Sequence, residues 1–172
     1  MRLNIGAADR HVDGYLCVDI APPPCEVCDA ISRQEYRTHD LSRKWLVSTS
    51  SVEEVLAYDV IEHIEDRIHF MNEMHRVLVP GGRAIIETPN AAKGVGYIQD
   101  PTHRSEWCFS TFRYFDADAF AHNRKISEGV TLADVYGITA AFKVVSLTES
   151  RSNGEDPREE VWKIRAELVA VK

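Results

Sequence analysis

Residues 58–90 read YDVIEHIEDRIHFMNEMHRVLVPGGRAIIETPN, and this stretch decides the fold. It divides into a strand end, a loop, an amphipathic helix, a Pro-Gly-Gly turn and a second strand. The helix is expected over about 66–78: Ile64, Ile68, Met71, Met74 or His75, and Leu78 recur at steps of three and four and give one apolar stripe. Asp66 is placed to cap its N-terminus, and Pro80-Gly81-Gly82 to end it.

Working outward, apolar continuity marks strands at about 2–6, 15–20, 53–58 and 83–88, with a weaker one at 36–39. Two β-rich segments close the chain, at about 142–149 and 159–171. The intervening Ser150-Arg-Ser-Asn-Gly-Glu-Asp-Pro157 has turn chemistry, which predicts an antiparallel hairpin. A second helix is expected after Phe115, with Asp116 as N-cap and Ala119 and Phe120 on its inner face. Strands alternating with helices predict an α/β fold: a doubly wound, mostly parallel sheet with helices on both faces and the terminal hairpin at one side. The 172 residues make one domain. Only about nine residues join the first two strands, where a parallel crossover takes a dozen or more. The first crossover helix is therefore truncated or missing.

Composition excludes several classes. A net charge of −7 disfavours a phosphate backbone or an anionic membrane as partner, so neither nucleic acid nor membrane is expected. No apolar run reaches the length of a spanning helix, and no leader is expected ahead of the first strand, so the expected location is cytoplasmic. Cys25-Glu-Val-Cys28 has metal or redox spacing, but no second pair follows at zinc-site distance; the histidines form no HxH or HxxxH pair. No metal is expected.

In open α/β sheets ligands sit beyond the carboxyl ends of the strands, where strand order reverses. Gly6, followed by Ala7 and Ala8, lets backbone approach a ligand there. Asp19 ends the second strand, where a carboxylate can accept from both hydroxyls of a ribose, with Ile20 beside it. The alternative is a tight turn with an acidic strand end. Asp40 could accept from an exocyclic amine of adenine while Leu41 covers the ring; equally, Asp40 could cap a short helix at 41–46.

Asp59-Val-Ile-Glu62-His63-Ile64, then His75-Arg-Val-Leu-Val-Pro-Gly-Gly82, then Thr88-Pro89-Asn90 resembles the Rossmann-like (class I) S-adenosylmethionine-dependent methyltransferases. The likeness is to members with "EHI" after the fourth strand and "RVLKPGG" before the fifth. It covers about residues 2–90, and 110–149 follow the general layout. The resemblance implies S-adenosylmethionine as cofactor, held at Gly6, Ala7, Ala8, Asp19, Ile20, Asp40, Leu41, Tyr58, Asp59 and Glu62. The chain departs from the family's G-x-G-x-G by reading Gly6-Ala-Ala-Asp-Arg. NAD is disfavoured because the third glycine and the usual ~20-residue spacing to the acid are missing.

Methyl transfer needs a nucleophile aligned in line and, for some acceptors, a base. The long segment 91–114 is the expected substrate lid. Within it His103 is the first choice of base, with Asp100 orienting it or acting instead. Tyr97, Arg104, Trp107 and Arg113 are expected to bind substrate. The alternative is an Asx-type turn at Asp100-Pro-Thr-His103 with a solvated histidine. His63 and His75 read as loop-shaping and packed residues. The loop after the fourth strand reads Ala57-Tyr-Asp-Val, not the Asn/Asp-Pro-Pro-Tyr/Phe of enzymes that methylate base amino groups. The expected substrate is thus a small molecule, methylated on oxygen or nitrogen. A homodimer could cover the cofactor edge if the lid does not. The competing function is a non-catalytic methyltransferase-like module that binds a protein partner.

Overall fold

A computed structural model describes residues 1–8, 10–22, 36–152 and 161–172. Cys25 and Cys28, and residues 153–157 of the expected turn, lie outside them.

Among the described residues nine strands form: β1 (Arg2–Ile5), β2 (Leu16–Asp19), β3 (Tyr36–Thr38), β4 (Val52–Tyr58), β5 (Leu78–Gly94), β6 (Lys125–Ser127), β7 (Val130–Thr131), β8 (Phe142–Ser152) and β9 (Val161–Ala170). Seven of them make one sheet in the order β3-β2-β1-β4-β5-β9-β8, while β6 and β7 pair separately. The five strands from β3 to β5 run parallel. β9 runs antiparallel to both β5 and β8, which is the expected terminal hairpin. Strand order reverses between β1 and β4, whose ends are in register at Ile5 and Ala57. That junction is where such sheets bind ligands.

The alternation of side chains sorts the sheet into two faces. Leu3, Ile5, Val55, Ala57, Ala84, Ile86, Ile164, Ala166 and Leu168 share the main core with Phe70, Met71, Met74 and Val77 of α1 (Arg67–Val77). The other face carries two small clusters, Ala7-Cys17-Tyr36 and Tyr15-Leu56-Ile85 with Val12 and Tyr58. Farther across it lie charged side chains: Arg83 pairs with Glu54 at 3.4 Å and Glu167 at 3.8 Å. Among the described residues, the link from β1 to β2 holds turns only, closed by Arg10 N–H to Ala7 O at 2.6 Å and Tyr15 N–H to Val12 O at 3.1 Å. This is the short crossover that the residue count requires.

Two helix expectations change. In α1 Asp66 does cap the N-terminus, accepting from His69 N–H at 2.8 Å, but the buried stripe is Phe70, Met71, Met74 and Val77. Ile64 caps the preceding 3-10 turn Ile61–His63, and Leu78 already pairs with Val52. Pro80-Gly81-Gly82 therefore does not stop the helix. It lies in the irregularity between the pairs Val52–Leu78 and Glu54–Arg83, with Gly81 at φ +76°. The second helix begins not at Asp116 but at Phe120 and ends at Asn123. Asp116 instead closes a turn on Asp118 N–H at 3.1 Å, and Ala117 N–H is drawn to Phe142 O at 2.7 Å. Ala119 is half-buried, and the side chain of Phe120 lies outside the described structure.

Candidate active site

At the reversal point Gly6 ends β1 with φ +63°. A Cβ built there would lie 2.4 Å from Val60 Cβ, so the residue must be glycine for the β1 and β4 loops to touch. Ala8, at φ +42°, donates its backbone N–H to Asp19 Oδ2 at 2.9 Å, and Ala21 N–H reaches Asp19 Oδ1 at 3.2 Å. Asp19 is thus fixed by backbone while each oxygen keeps accepting capacity. Ile20 next to it is 71% exposed. A fixed carboxylate beside an uncovered apolar side chain suits a ribose and an adjoining ring, so these residues fit a nucleoside.

Other residues expected at the cofactor are occupied elsewhere. Leu41 is buried in the main core, and Trp45 Nε1–H donates to its carbonyl at 3.1 Å. Asp40 accepts from Ser42 N–H at 2.9 Å, Ser42 Oγ–H at 2.6 Å and Arg43 Nε–H at 3.3 Å. The Ser42 bonds, chiefly, hold its carboxyl below the usual range. Residues 41–43 form a turn, not the helix start that the capping alternative expected. Tyr58 packs with Tyr15, Leu56 and Ile85. Asp59, at φ +52°, is clamped by Lys163 Nζ at 2.7 and 2.8 Å and by Arg10 at 3.3 Å. Sequence reading missed both cations, since neither has a local signal.

Glu62 is 1% exposed. Thr88 Oγ1–H donates to its Oε2 at 2.9 Å, and its carbonyl receives Arg104 N–H at 2.7 Å and Ser105 N–H at 2.9 Å. Ser105 Oγ–H also reaches Ile61 O at 3.0 Å, and Arg67 reaches Glu106 O at 2.7 Å. The 103–107 backbone is therefore fastened to the β4 loop.

Burial pushes the Glu62 carboxyl up from its usual range. Folding then favours the protonated acid, so its contribution to stability is full below the unfolded pKa and is lost as pH rises through the folded one. Glu62→Gln, uncharged at every pH, should flatten that loss. Urea unfolding in chelator-treated buffer at pH 4.5 and 7.5 is expected to show the variant gaining on the parent as pH rises; a variant that falls behind with pH would contradict it.

The segment 91–114 brings His103 to Glu62 and His63. His103 Nδ1 lies 2.6 Å from Tyr97 O, and the Tyr97 ring stacks on the imidazole at 5.3 Å. A carbonyl only accepts, so Nδ1 carries the proton and Nε2 the lone pair. Asp100 Oδ2 stands 3.8 Å from Nε2. The Asx turn is present, with Thr102 N–H on Asp100 Oδ1 at 2.7 Å, yet the His103 side chain is 7% exposed rather than solvated. Hydrogen bonds from Thr102 hold the Asp100 carboxyl below its usual range. His63 lies 5.0 Å from His103, ring to ring.

The remaining expected substrate residues separate. Trp107 is 1% exposed and packs on Phe112 at 5.0 Å and Phe115 at 6.4 Å, a core residue rather than a pocket wall. Arg113 is exposed and lines a cavity of about 370 Å³ with Asp116 and Ser146. Arg104 is exposed next to His103. A cavity of about 420 Å³ lies between Arg67 and Ile68 of α1 and Ser110, Thr111 and Tyr114 at the end of the segment. His75 Nε2 bonds Val171 O at 2.7 Å, and its ring meets Phe142.

Sheet order and the strand reversal beside Gly6 define an open, mostly parallel α/β domain of Rossmann-like type. A family model described as a methyltransferase domain matches residues 3–86, just under half the chain. A curated Mycolicibacterium smegmatis protein, provisionally named an S-adenosylmethionine-dependent methyltransferase, is 46% identical over 41 residues, which span 24% of this chain and 16% of that protein. A provisionally named methyltransferase of Bacillus halodurans superposes with a TM-score of 0.69 at 14% identity, covering 99% of this chain and 92% of that one. The 1,6-didemethyltoxoflavin-N1-methyltransferase of Burkholderia thailandensis, solved with bound 1,6-didemethyltoxoflavin and S-adenosylhomocysteine, gives 0.61 at 14% identity, covering 99% and 71%. Over residues 3–86 the chain is similar to this methyltransferase domain family, and its fold is that of Rossmann-like methyltransferases.

Proposed function

We propose that this protein is an S-adenosylmethionine-dependent methyltransferase acting on an oxygen or nitrogen of a small molecule. The observation that carries the reading is the contact of Val60 with Gly6. It joins the edge built by Asp19 and Ile20 to the loop that bears Glu62 and His63. Donor and acceptor would then meet across one strand boundary. When bound, S-adenosylmethionine supplies a methyl group activated on a sulfonium.

The chain's own residues do the rest. Asp19 accepts from the ribose hydroxyls, and Ile20 covers the adjoining ring. His103 Nε2 takes the acceptor's proton, while the ionised Asp100 stabilises the resulting imidazolium; Tyr97 and the Glu62 carbonyl hold the ring and its backbone in place. The net negative charge and the absence of an Asn/Asp-Pro-Pro-Tyr/Phe loop favour a small substrate over nucleic acid. Cytoplasmic location, the substrate roles of Arg104 and Arg113 and a homodimer that covers the cofactor edge belong to the same proposal. Among the described residues no helix is long and apolar enough to cross a membrane.

Titration calorimetry with S-adenosylmethionine, S-adenosylhomocysteine and NAD, with melting curves alongside, tests the reading. Both adenosyl ligands should bind and NAD should not. Ligand at about 100 times its dissociation constant should add ~2.7 kcal/mol of stability. A folded protein that binds neither adenosyl ligand at millimolar concentration overturns the proposal. It would favour a partner-binding module, the reading to which the turn-only β1–β2 link points.

A further inference from the structure

Glu62, His63 and His103 each offer one ligand atom, and the three atoms lie within 4.8 Å of one another. They come from two separate loops, so no motif spacing announces them. An edge-to-face pair of neutral rings would account for the contact between His63 and His103, but not for the way both are tethered. His63 Nδ1 lies 3.1 Å from Thr102 Oγ1 and 3.4 Å from Thr102 O. Thr102 Oγ1 gives its own proton to Asp100 Oδ1 at 2.6 Å, so it accepts from His63. His103 Nδ1 gives its proton to Tyr97 O at 2.6 Å. Each imidazole is thereby held as the Nδ1–H tautomer with the Nε2 lone pair uncommitted; Asp100 Oδ2, at 3.8 Å from His103 Nε2, is beyond hydrogen-bond reach.

That is how metal-ligating histidines are held: one nitrogen on the ion, the other donating to a carbonyl or an acceptor behind it. Glu62 has the same support, with Oε2 accepting from Thr88 at 2.9 Å. Two imidazoles and one carboxylate select a first-row transition ion over Mg2+ or Ca2+. An ion about 2.0–2.2 Å from each atom would draw them to roughly 3.4 Å apart, a small closure for side-chain torsions.

We propose that Glu62, His63 and His103 bind one divalent transition ion, with Zn2+ as the representative, through a carboxylate oxygen and two Nε2 atoms. Three protein ligands leave the remaining positions open to water or to an oxygen of the substrate. In the ion-loaded protein His103 is a ligand, and its role as base belongs to the ion-free state. Only the placement of substrate oxygen on the ion rests on the methyl-transfer reading; the site itself does not. Against the expectation of no metal, the ligands meet through folding rather than through local spacing.

The test is titration of the full chain with Zn2+ after chelator treatment, without S-adenosylmethionine. It is run on the parent and on a Cys25→Ser/Cys28→Ser variant, so that those thiols cannot supply the signal. The double-serine protein should bind one ion per chain at micromolar affinity or better. Adding His63→Ala or His103→Ala should weaken binding by about 100-fold or more, with melting curves showing both folded. Should either alanine variant unfold, Co2+ added to the double-serine protein decides: visible absorption of nitrogen and oxygen ligation supports the site, and its absence overturns it. No binding at high micromolar Zn2+, or affinity unmoved by both alanine changes, also overturns it. Neither result touches adenosyl-ligand binding, which is measured separately.

Discussion

Asp19→Ala should weaken S-adenosylmethionine binding by at least ~100-fold, which corresponds to about 2.7 kcal/mol. The carboxylate is offered as acceptor to two ribose hydroxyls, and hydrogen bonds to a charged group contribute roughly 1.5–3 kcal/mol each. The substitution also leaves Ala8 N–H and Ala21 N–H without the oxygens they now meet at 2.9 and 3.2 Å. Part of the loss could therefore come from a loosened Gly6-Ala7-Ala8 turn. Asp19→Asn separates the two effects, because its amide oxygen can still accept from one of the backbone groups while the charge is gone. Calorimetry on both variants should find the alanine change the more damaging of two large losses. Affinity unchanged in Asp19→Ala would remove the β2 edge as the cofactor site, and with it the main support for methyl transfer.

The sheet was legible because its signals are local. Glu62-His63 follows the end of β4, Pro80-Gly81-Gly82 and Thr88-Pro89-Asn90 fall within β5, and apolar continuity places the strands around them. Counting residues was enough to remove the first crossover helix, since a chain of that length cannot make the return with one. The terminal hairpin followed from two β-rich runs around turn-forming residues. Element ends were less legible. Asp116 has the chemistry of an N-cap, but Ala117 pairs with Phe142, a contact made across the fold that postpones the helix to Phe120. In α1 the cap at Asp66 fixes the start; Phe70 and Val77 join Met71 and Met74 inside, while Leu78, equally buried, belongs to β5 and Ile64 packs on the core from the turn before the helix.

The site was legible by type and not by partner. Asp59 looks free in sequence, yet the antiparallel register brings Lys163 of β9 onto it. Gly6 reads as room for a ligand; in the fold much of that room belongs to Val60. His63 reads as a loop residue until the Asx turn at Asp100 swings His103 against it. Such meetings between loops leave no periodicity to find, so only the folded chain shows them.

Trp107 marks the clearest case, and Trp107→Ala should cost about 3–5 kcal/mol of unfolding free energy. In a polar segment beside the sheet's carboxyl edge, an aromatic side chain looks like a wall for substrate. Its ring instead lies 5.0 Å from Phe112 and 6.4 Å from Phe115, both in the main core, and Nε1–H donates to Ser105 Oγ at 3.0 Å. Ser105 in turn donates to Ile61 O, and its N–H reaches the Glu62 carbonyl. Truncation would open a cavity and release the Ser105 hydroxyl from one partner, loosening the strap that holds His103 against Glu62. A loss of that size is a large share of the roughly 5–15 kcal/mol that keeps a domain folded. Trp107→Phe should lose less, since it keeps most of the packing and only the indole bond goes. Urea unfolding of the two variants checks this. A loss below about 1 kcal/mol for Trp107→Ala would mean that the 91–114 segment is a loosely attached lid after all. A large loss would mean that the imidazole of His103 is positioned from the core outward, so that access to the site must come from motion elsewhere than at Trp107.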